Sequence, residues 1–470
     1  MFTRIAQLVL SLLLIAGSLA IIFVFVFKSG HLTHRELWHT LLGLFLVLLL
    51  LLNIHPHWSV EKKHGQFFRD FVARADSSVL SRLFGERDIE LVEDAYRPFV
   101  RMVSGDVQSY VSANNSVEVI TEGARKYELL MRDLENAKES IHMEYFHFGA
   151  DKGSRDVRDM LIKKAREGVK VRFINENIAN FPIIHRYYRS MRKGGVEVIR
   201  FTGFKNLLST LNYRNHRKVV VIDGKIGYTG GMNINDHYFR QWRDTHMRLE
   251  GDAAAQLQLL FLDSWIISGG KMPDDYNVLF PEAEKQASQH LVQIVADEPG
   301  LGFHPIQGSY QWALLHAKEY FYMQTPYFIP SEPVLEALKT AARAGADVRL
   351  MIPKKSDTAM MGPANKSFFK ECLQSGVRIF EREGNFMHCK TFVTDDYLSS
   401  IGTANLDNRS FKLNYEDNAY LYDREIAAQN RDIFLRDLDS CTEVTLAEVE
   451  SWPWYQVYLQ KTLRLVSSVL

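Results

Sequence analysis

Asn215-His216-Arg217-Lys218-Val219-Val220-Val221-Ile222-Asp223-Gly224 and Met387-His388-Cys389-Lys390-Thr391-Phe392-Val393-Thr394-Asp395-Asp396 are two copies of one pattern: histidine, lysine two residues on, aspartate seven residues on. One such match arises by chance in roughly one chain in twenty of this length and composition, so a single copy would be a weak signal. The copies also agree downstream of the aspartate. Fourteen residues after each histidine stands a glycine, in Gly230-Gly231-Met232-Asn233 and Gly402-Thr403-Ala404-Asn405; seventeen after stands an asparagine, Asn233 or Asn405; twenty-eight after stands a carboxylate, Asp244 or Glu416. Three features in register predict two related halves and one duplicated chemical site.

Arg217 to Ile222 reads as a strand. His216 and Lys218, two apart in that extended run, leave the same face and can reach one ligand together. Asp223-Gly224 is a hairpin turn signal, and Asp395-Asp396 a weaker one, so each aspartate ends its strand and is expected to hold the site together by hydrogen bonding. The returning strands, Ile226 to Thr229 and Leu398 to Ile401, bring the glycines and asparagines alongside, with Gly231 and Thr403 in support. Two such half-sites set face to face suit a phosphodiester without any metal or other cofactor. Lys218, Lys390, Asn233 and Asn405 would neutralise its non-bridging oxygens as charge develops. One imidazole would attack phosphorus; the other would protonate the departing alkoxide and then deprotonate the incoming hydroxyl. Asp244 and Glu416 are placed to orient the histidines' second nitrogens and fix their tautomers.

Outward from the motifs, the chain reads twice through one order of elements. In the first pass an amphipathic stretch, Glu122 to Glu139, leads into the strand Ser140 to Phe146, a helix from Val157 to Glu167 closed by Gly168, and a strand from Val169 to Ile174. In the second, the strand Tyr320 to Thr325 is followed by a helix from Pro333 to Ala344 closed by Gly345, and a strand from Asp347 to Ile352. A helix-closing glycine before a β-branched strand is the punctuation of a doubly wound α/β sheet. Gly269 to Gln286, rich in Gly, Pro and Asp, reads as the linker. The expected organisation is a membrane segment over 1–59, a membrane-proximal cap over 60–115, a first half over 116–285 with its motif at 211–238, a second half over 286–440 with its motif at 383–410, and a tail over 441–470.

The paired motifs resemble those of the phospholipase D superfamily. Asn212 to Lys218, Thr229 to Ile234, Trp242 to His246, Thr325 to Pro330 and Gly402 to Phe411 resemble its bacterial cardiolipin synthase branch. The resemblance implies two phospholipase D-like α/β halves forming one active site, behind an N-terminal two-helix transmembrane hairpin. It implies a catalytic set of His216, Lys218, Asp223, His388, Lys390 and Asp395, with His216 as the attacking imidazole. The implied reaction converts two phosphatidylglycerols into cardiolipin and glycerol through a phosphohistidine, at a bacterial inner membrane. Cys389, where a smaller residue is more usual, and the spacing of Gly384-Asn385-Phe386 depart from the pattern. Both bear on the approach of the second substrate. The motifs alone do not separate a transferase from a membrane-bound phospholipase D or another phosphodiesterase that passes the group to water, and they fix no oligomeric state, a homo-oligomer included. Complete motifs in both halves argue against an inactive scaffold.

The first sixty residues differ in kind. Ile5 to Phe27 and Leu37 to Ile54 are apolar runs, the first without a formal charge, and each is long enough to cross a hydrocarbon core. Ser18-Leu19-Ala20 resembles a signal-cleavage site, but the apolar run continues past it and a second comes after. Arg4, Lys62, Lys63 and Arg69 outnumber the loop's Lys28 and Arg35, which places both ends, and the catalytic part, in the cytoplasm. The 56 basic residues balance the 56 acidic ones; this disfavours a nucleic-acid partner, which would call for a basic groove. Cys372, Cys389 and Cys441 have neither the number nor the spacing of a disulfide framework or a metal site. Phe67, Phe68, Phe71 and Val72 could lie in the bilayer interface or pack on the soluble part. The same two readings apply to Trp452, Trp454, Tyr455 and Tyr458. His142, His147, His237, His246 and His316 have no repeated partners and read as structural.

Overall fold

In the computed structural model the described residues are 67, 71–84, 88–104, 109–176, 179–180, 184–201, 213–273 and 276–465. Both apolar runs of the N-terminus lie outside them, as do Asn212, Phe68, Asp274 and Asp275. Among the described residues no helix is long and apolar enough to cross a membrane.

Each half is built on a mixed sheet. The first runs Asn115–Ile120, His246–Gly251, Ile226–Gly230, Lys218–Ile222, Ser140–Tyr145, Lys170–Asn175, Glu197–Arg200 in spatial order. Among the described residues the second has nine strands, one of them Arg214–Asn215 from the first half, with Tyr320–Gln324 at its centre between Asp347–Pro353 and Thr391–Thr394. Both central strands pair parallel on one side and antiparallel on the motif side. The sheets are therefore mixed, not wholly parallel: the hairpin after each motif aspartate sends the next strand straight back. Ser140–Tyr145 and Tyr320–Gln324 are buried throughout, as strands covered on both faces must be. The helices Lys152–Arg166 and Glu332–Arg343 end as the sequence predicts. Gly168 and Gly345 come next at φ 98° and 106°, a left-handed region where a side chain would be strained.

The halves share one core. Val219, Val221, Met247, Leu249 and Leu257 of the first pack against Val292, Ile294, Ile401, Ala419 and Leu421 of the second. Backbone pairing also crosses between them. Arg214–Asn215 lies parallel to Asn414–Tyr415, and Arg243 bridges parallel to Met387. The stretch that reads as a linker is packed where described: it holds the short helix Tyr276–Leu279, with Tyr276, Leu279 and Phe280 buried. Phe71 is fully buried there, its ring 5.4 Å from Tyr276 and 5.5 Å from Phe280, and Phe67 joins the same cluster. Of the two readings for these phenylalanines, packing on the soluble part is the one realised.

Candidate active site

Of the motif histidines and lysines, only Lys218 sits within a strand. The first strand begins at Lys218 and the second at Thr391, so His216, His388 and Lys390 lie in the lead-ins. Those lead-ins are fixed by the opposite half. His216 N donates to Tyr415 O at 2.9 Å, and His388 N donates to Arg243 O at 2.8 Å. Each acceptor immediately precedes a carboxylate, and the side chains therefore pair crosswise. His216 Nδ1 lies 3.0 and 2.9 Å from the two carboxylate oxygens of Glu416, 200 residues away. His388 Nδ1 lies 2.9 Å from Asp244 Oδ2, 144 residues away. A carboxylate on Nδ1 leaves Nε2 as the reactive nitrogen in both rings.

Lys218 Nζ donates to His216 O at 2.6 Å, and Lys390 Nζ donates to His388 O at 2.6 Å while standing 3.1 Å from His388 Nε2. The side chains of His216, Lys218, His388 and Lys390 are all buried. Burial disfavours the charged forms, and the nearby lysines add to that effect on the imidazoles. His216 is driven far below the usual histidine range, and His388 down to about 3. Burial lowers Lys218, against the pull of Glu416, and lowers Lys390 to about 8, while burial raises the Glu416 carboxyl against the pull of Lys218. Both imidazoles are thus neutral and one is free to attack. An anionic phosphodiester between the lysines would favour their protonated forms, and that of an imidazole beside it.

The two carboxylates are held differently. Thr403 Oγ1 donates to Glu416 Oε2 at 2.7 Å and Asn414 Nδ2 donates to Oε1 at 3.0 Å. Asp244 Oδ1 accepts from Thr245 N at 2.7 Å and lies against Gly231, where an added Cβ would meet it at 2.1 Å. The shorter acid thus leans on a glycine and the longer acid on a hydroxyl. Asn233 Oδ1 accepts from His147 N at 3.1 Å, and its Nδ2 donates to Tyr238 Oη at 2.8 Å. Tyr238 Oη stands 3.4 Å from His388 Nδ1, so Asn233 reaches the histidine through the tyrosine. Asn405 is buried, its N donating to Ser410 Oγ at 3.2 Å.

Asp223 and Asp395 lie at the other end of the strands. Asp223 is five residues beyond Lys218, roughly 16 Å along an extended chain, and does not touch the reacting groups. Its carboxylate accepts from Lys138 N, Glu139 N and Ser140 N at 2.9, 2.8 and 2.9 Å. Asp395 repeats this with Lys318 N, Glu319 N and Tyr320 N at 2.8, 3.0 and 3.0 Å. Each ties the end of its motif strand to the start of the central strand. Asp223→Ala and Asp395→Ala should each lower stability by about 2–4 kcal/mol, from three net hydrogen bonds at about 1 kcal/mol each, and leave kcat of the folded enzyme within a few-fold. Urea unfolding beside initial rates checks this; a thousandfold loss of kcat at unchanged stability would show a chemical role.

Several residues around the site carry no repeat signal. Phe146 stands edge-on to His216 at 4.8 Å, with the Lys218 ammonium 5.5 Å from its ring. Tyr238, Trp242 and Phe386 surround His388 at 5.4, 5.7 and 6.0 Å. The fully buried Arg217 joins Ser264 Oγ at 3.0 Å and Glu298 at 2.7 Å, and donates to Glu416 O at 3.2 Å. The five histidines that read as structural each have a partner: His142 stacks on Phe261, His316 on Trp312 and His246 on Tyr228, while His147 contacts Asn235 and His237 contacts Gln241. Among the described residues no group of three or more His, Cys, Asp or Glu is disposed to hold a metal ion.

Two mixed-sheet halves, each with a His–Lys pair whose histidine takes its carboxylate from the other half, define a duplicated phospholipase D-like protein. Residues 130–265 and 312–438 match the family model described as cardiolipin synthase, PLD-like domain. The cardiolipin synthase of Geobacillus sp. (strain WCH70) is 33% identical, over 98% of this chain and 94% of its own length. Cardiolipin synthase 2 of Bacillus cereus (strain ATCC 14579) is 39% identical over 77% of this chain and 72% of its own. The chain belongs to the cardiolipin synthase family. In fold it is similar to the crystal structure of phosphatidylserine synthase from Haemophilus influenzae Rd KW20, with a TM-score of 0.61 at 14% identity, over 80% of this chain and all of that one.

Proposed function

We propose that the chain transfers a phosphatidyl group from one phosphatidylglycerol to another, forming cardiolipin and releasing glycerol. The observation that carries this is the pair of buried imidazoles, each on a carboxylate, with Lys218 and Lys390 beside them. His216 attacks phosphorus and the P–O bond to the departing glycerol breaks, leaving phosphatidyl-His216; His388 gives that glycerol oxygen its proton. His388 then takes the proton of the second phosphatidylglycerol's terminal hydroxyl, whose oxygen displaces His216. The lysines hold the non-bridging oxygens throughout. The assignment of His216 follows the family resemblance, since both rings carry a carboxylate on Nδ1. Mass spectrometry of products from purified full-length protein on phosphatidylglycerol vesicles tests the reading. Cardiolipin with equimolar glycerol is expected; phosphatidic acid in its place would make water the acceptor and the protein a hydrolase.

Lys390 must carry its proton to hold an anionic substrate. Burial lowers it to about 8 and lowers Lys218, which has the same task, to about 7, so kcat/KM should begin to fall above about pH 7 and fall more steeply than tenfold per unit once both lysines lose protons. Lys390→Arg should reduce the fall to about tenfold per unit, leaving the limb of Lys218, and a flat wild-type profile from pH 7 to 10 would remove this role. The same reading places the protein in a bacterial inner membrane by the runs Ile5 to Phe27 and Leu37 to Ile54, with the catalytic part inside. A cysteine introduced between Lys28 and Glu36 should react with an impermeant maleimide on intact cells, whereas a reporter after Leu470 should be cytoplasmic; the reverse labelling would invert the orientation.

A further inference from the structure

The C-terminal helix Trp454–Leu465 turns its apolar side to solvent. Trp454, Tyr455, Tyr458, Leu459 and Leu465 are 80%, 63%, 69%, 48% and 84% exposed, five of the eleven large hydrophobic side chains exposed among the described residues. At 100° per residue these five and Thr462 occupy one sector of the helix, with exposed Lys461 at its border. Gln460 and Leu463 face the body and are buried. A helix that buries glutamine and exposes a tryptophan and two tyrosines inverts the usual amphipathic arrangement. It is held firmly in that pose. Arg464 pairs with Glu371 and lies 4.4 Å over the Phe368 ring, while Trp452, just before the helix, packs at 6.2 Å on Phe369. The tail aromatics therefore divide: Trp452 docks the helix, and Trp454, Tyr455 and Tyr458 face outward.

This helix packs along Met361–Lys366, which is tied to the active-site wall. Asn365 accepts from Phe328 N at 2.9 Å and donates to Pro326 O at 3.3 Å, which fixes the segment carrying Tyr327. The Tyr327 ring stands 6.5 Å from His388. The outward face of the C-terminal helix is thus one helix removed from the His388 side of the site.

We propose that this face docks in the headgroup–acyl boundary of a phospholipid bilayer and sets the His388 side against the surface from which the second lipid enters. The proposal rests on a phospholipid being the substrate. Tryptophan and tyrosine, with an apolar body and a polar tip, favour that boundary over either water or hydrocarbon. Exposed Lys461 at the border complements anionic headgroups. The apolar runs Ile5 to Phe27 and Leu37 to Ile54 supply the chain length to keep the body at the membrane while this face engages it.

The test uses full-length protein with Cys441→Ser, which leaves the buried Cys372 and Cys389, and an environment-sensitive dye on Tyr458→Cys or, as control, on Leu315→Cys. Leu315 is 57% exposed on the distant helix Pro305–His316. In phosphatidylglycerol–phosphatidylcholine vesicles with a nitroxide near the acyl carbonyl, the dye at 458 should be quenched about twofold or more and the dye at 315 should not. Equal signals at both sites, or shielding at 458 that grows only with protein density, would overturn the proposal; the latter would put a second copy on the face. Trp454→Ser, Tyr455→Ser and Tyr458→Ser together should slow cardiolipin formation about tenfold on vesicles and leave it unchanged on short-chain phosphatidylglycerol in detergent. Equal rates on vesicles, or equal losses on both substrates, would also overturn it. If wild type makes no cardiolipin from either lipid form, the proposed reaction fails, and quenching at 458 still decides the docking.

Discussion

A p-nitrophenyl ester of phosphatidic acid should release one equivalent of nitrophenol per site from His388→Asn and none from His216→Asn. Nitrophenolate leaves without a proton, so the first step does not need the acid. The His216 imidazole, Lys218 and Lys390 then suffice to take up the phosphatidyl group once. Without His388 the incoming hydroxyl keeps its proton, and turnover should fall by roughly 10⁴-fold. Without His216 no nitrogen stands in line with phosphorus, and the burst itself disappears. Stopped-flow absorbance decides between the two. A burst from the His216 variant and none from the His388 variant would exchange the roles and leave the transferase reading in place.

Glu416→Gln should behave as a lesion of the first half and Asp244→Asn as a lesion of the second, because each carboxylate serves the histidine across the interface. An amide in place of the acid keeps the shape, permits the wrong tautomer and removes the charge that supports the imidazolium; such a change costs roughly 10³–10⁴-fold in a comparable His–carboxylate pair. The nitrophenol burst of Glu416→Gln should therefore slow by that factor. Asp244→Asn should keep a burst within a few-fold of wild type and lose steady-state turnover instead. The opposite distribution, each carboxylate failing with the histidine of its own half, would contradict the crossed geometry.

Much of the fold and of the site is legible in the sequence, for identifiable reasons. Ser140–Tyr145 announces itself by apolar alternation and Tyr320–Gln324 by an aromatic run, and the ends of the helices that follow by their closing glycines. The structural work of Asp223 and Asp395 is implied by their turn positions, and the hydrogen bonds to three consecutive backbone amides are of the expected kind. What the sequence conceals is pairing over distance. Nothing local says that the His216 lead-in lies beside Tyr415, or that the His388 lead-in lies beside Arg243, because register between halves is set by packing of the whole core. For the same reason the lead-ins read as strand. The aromatic wall of Tyr238, Trp242 and Phe386 occurs around one histidine only, so comparing the two copies could not find it. Gly269 to Gln286 misled in another way, since its turn residues conceal Tyr276 and Phe280, which are core.

Crossed carboxylates also make the half-chain chemically incomplete. A product that ended before residue 414 would keep His216 and Lys218 but lose both the acid and the backbone that place the imidazole. A single half could build the site only as a two-fold pair, each copy lending its acid to the other's histidine, in the isologous manner of a symmetric dimer. Joining the halves in one polypeptide locks that exchange at one-to-one stoichiometry and releases the copies from being identical. The divergence is already visible in Gly231 beside a short acid and Thr403 beside a long one.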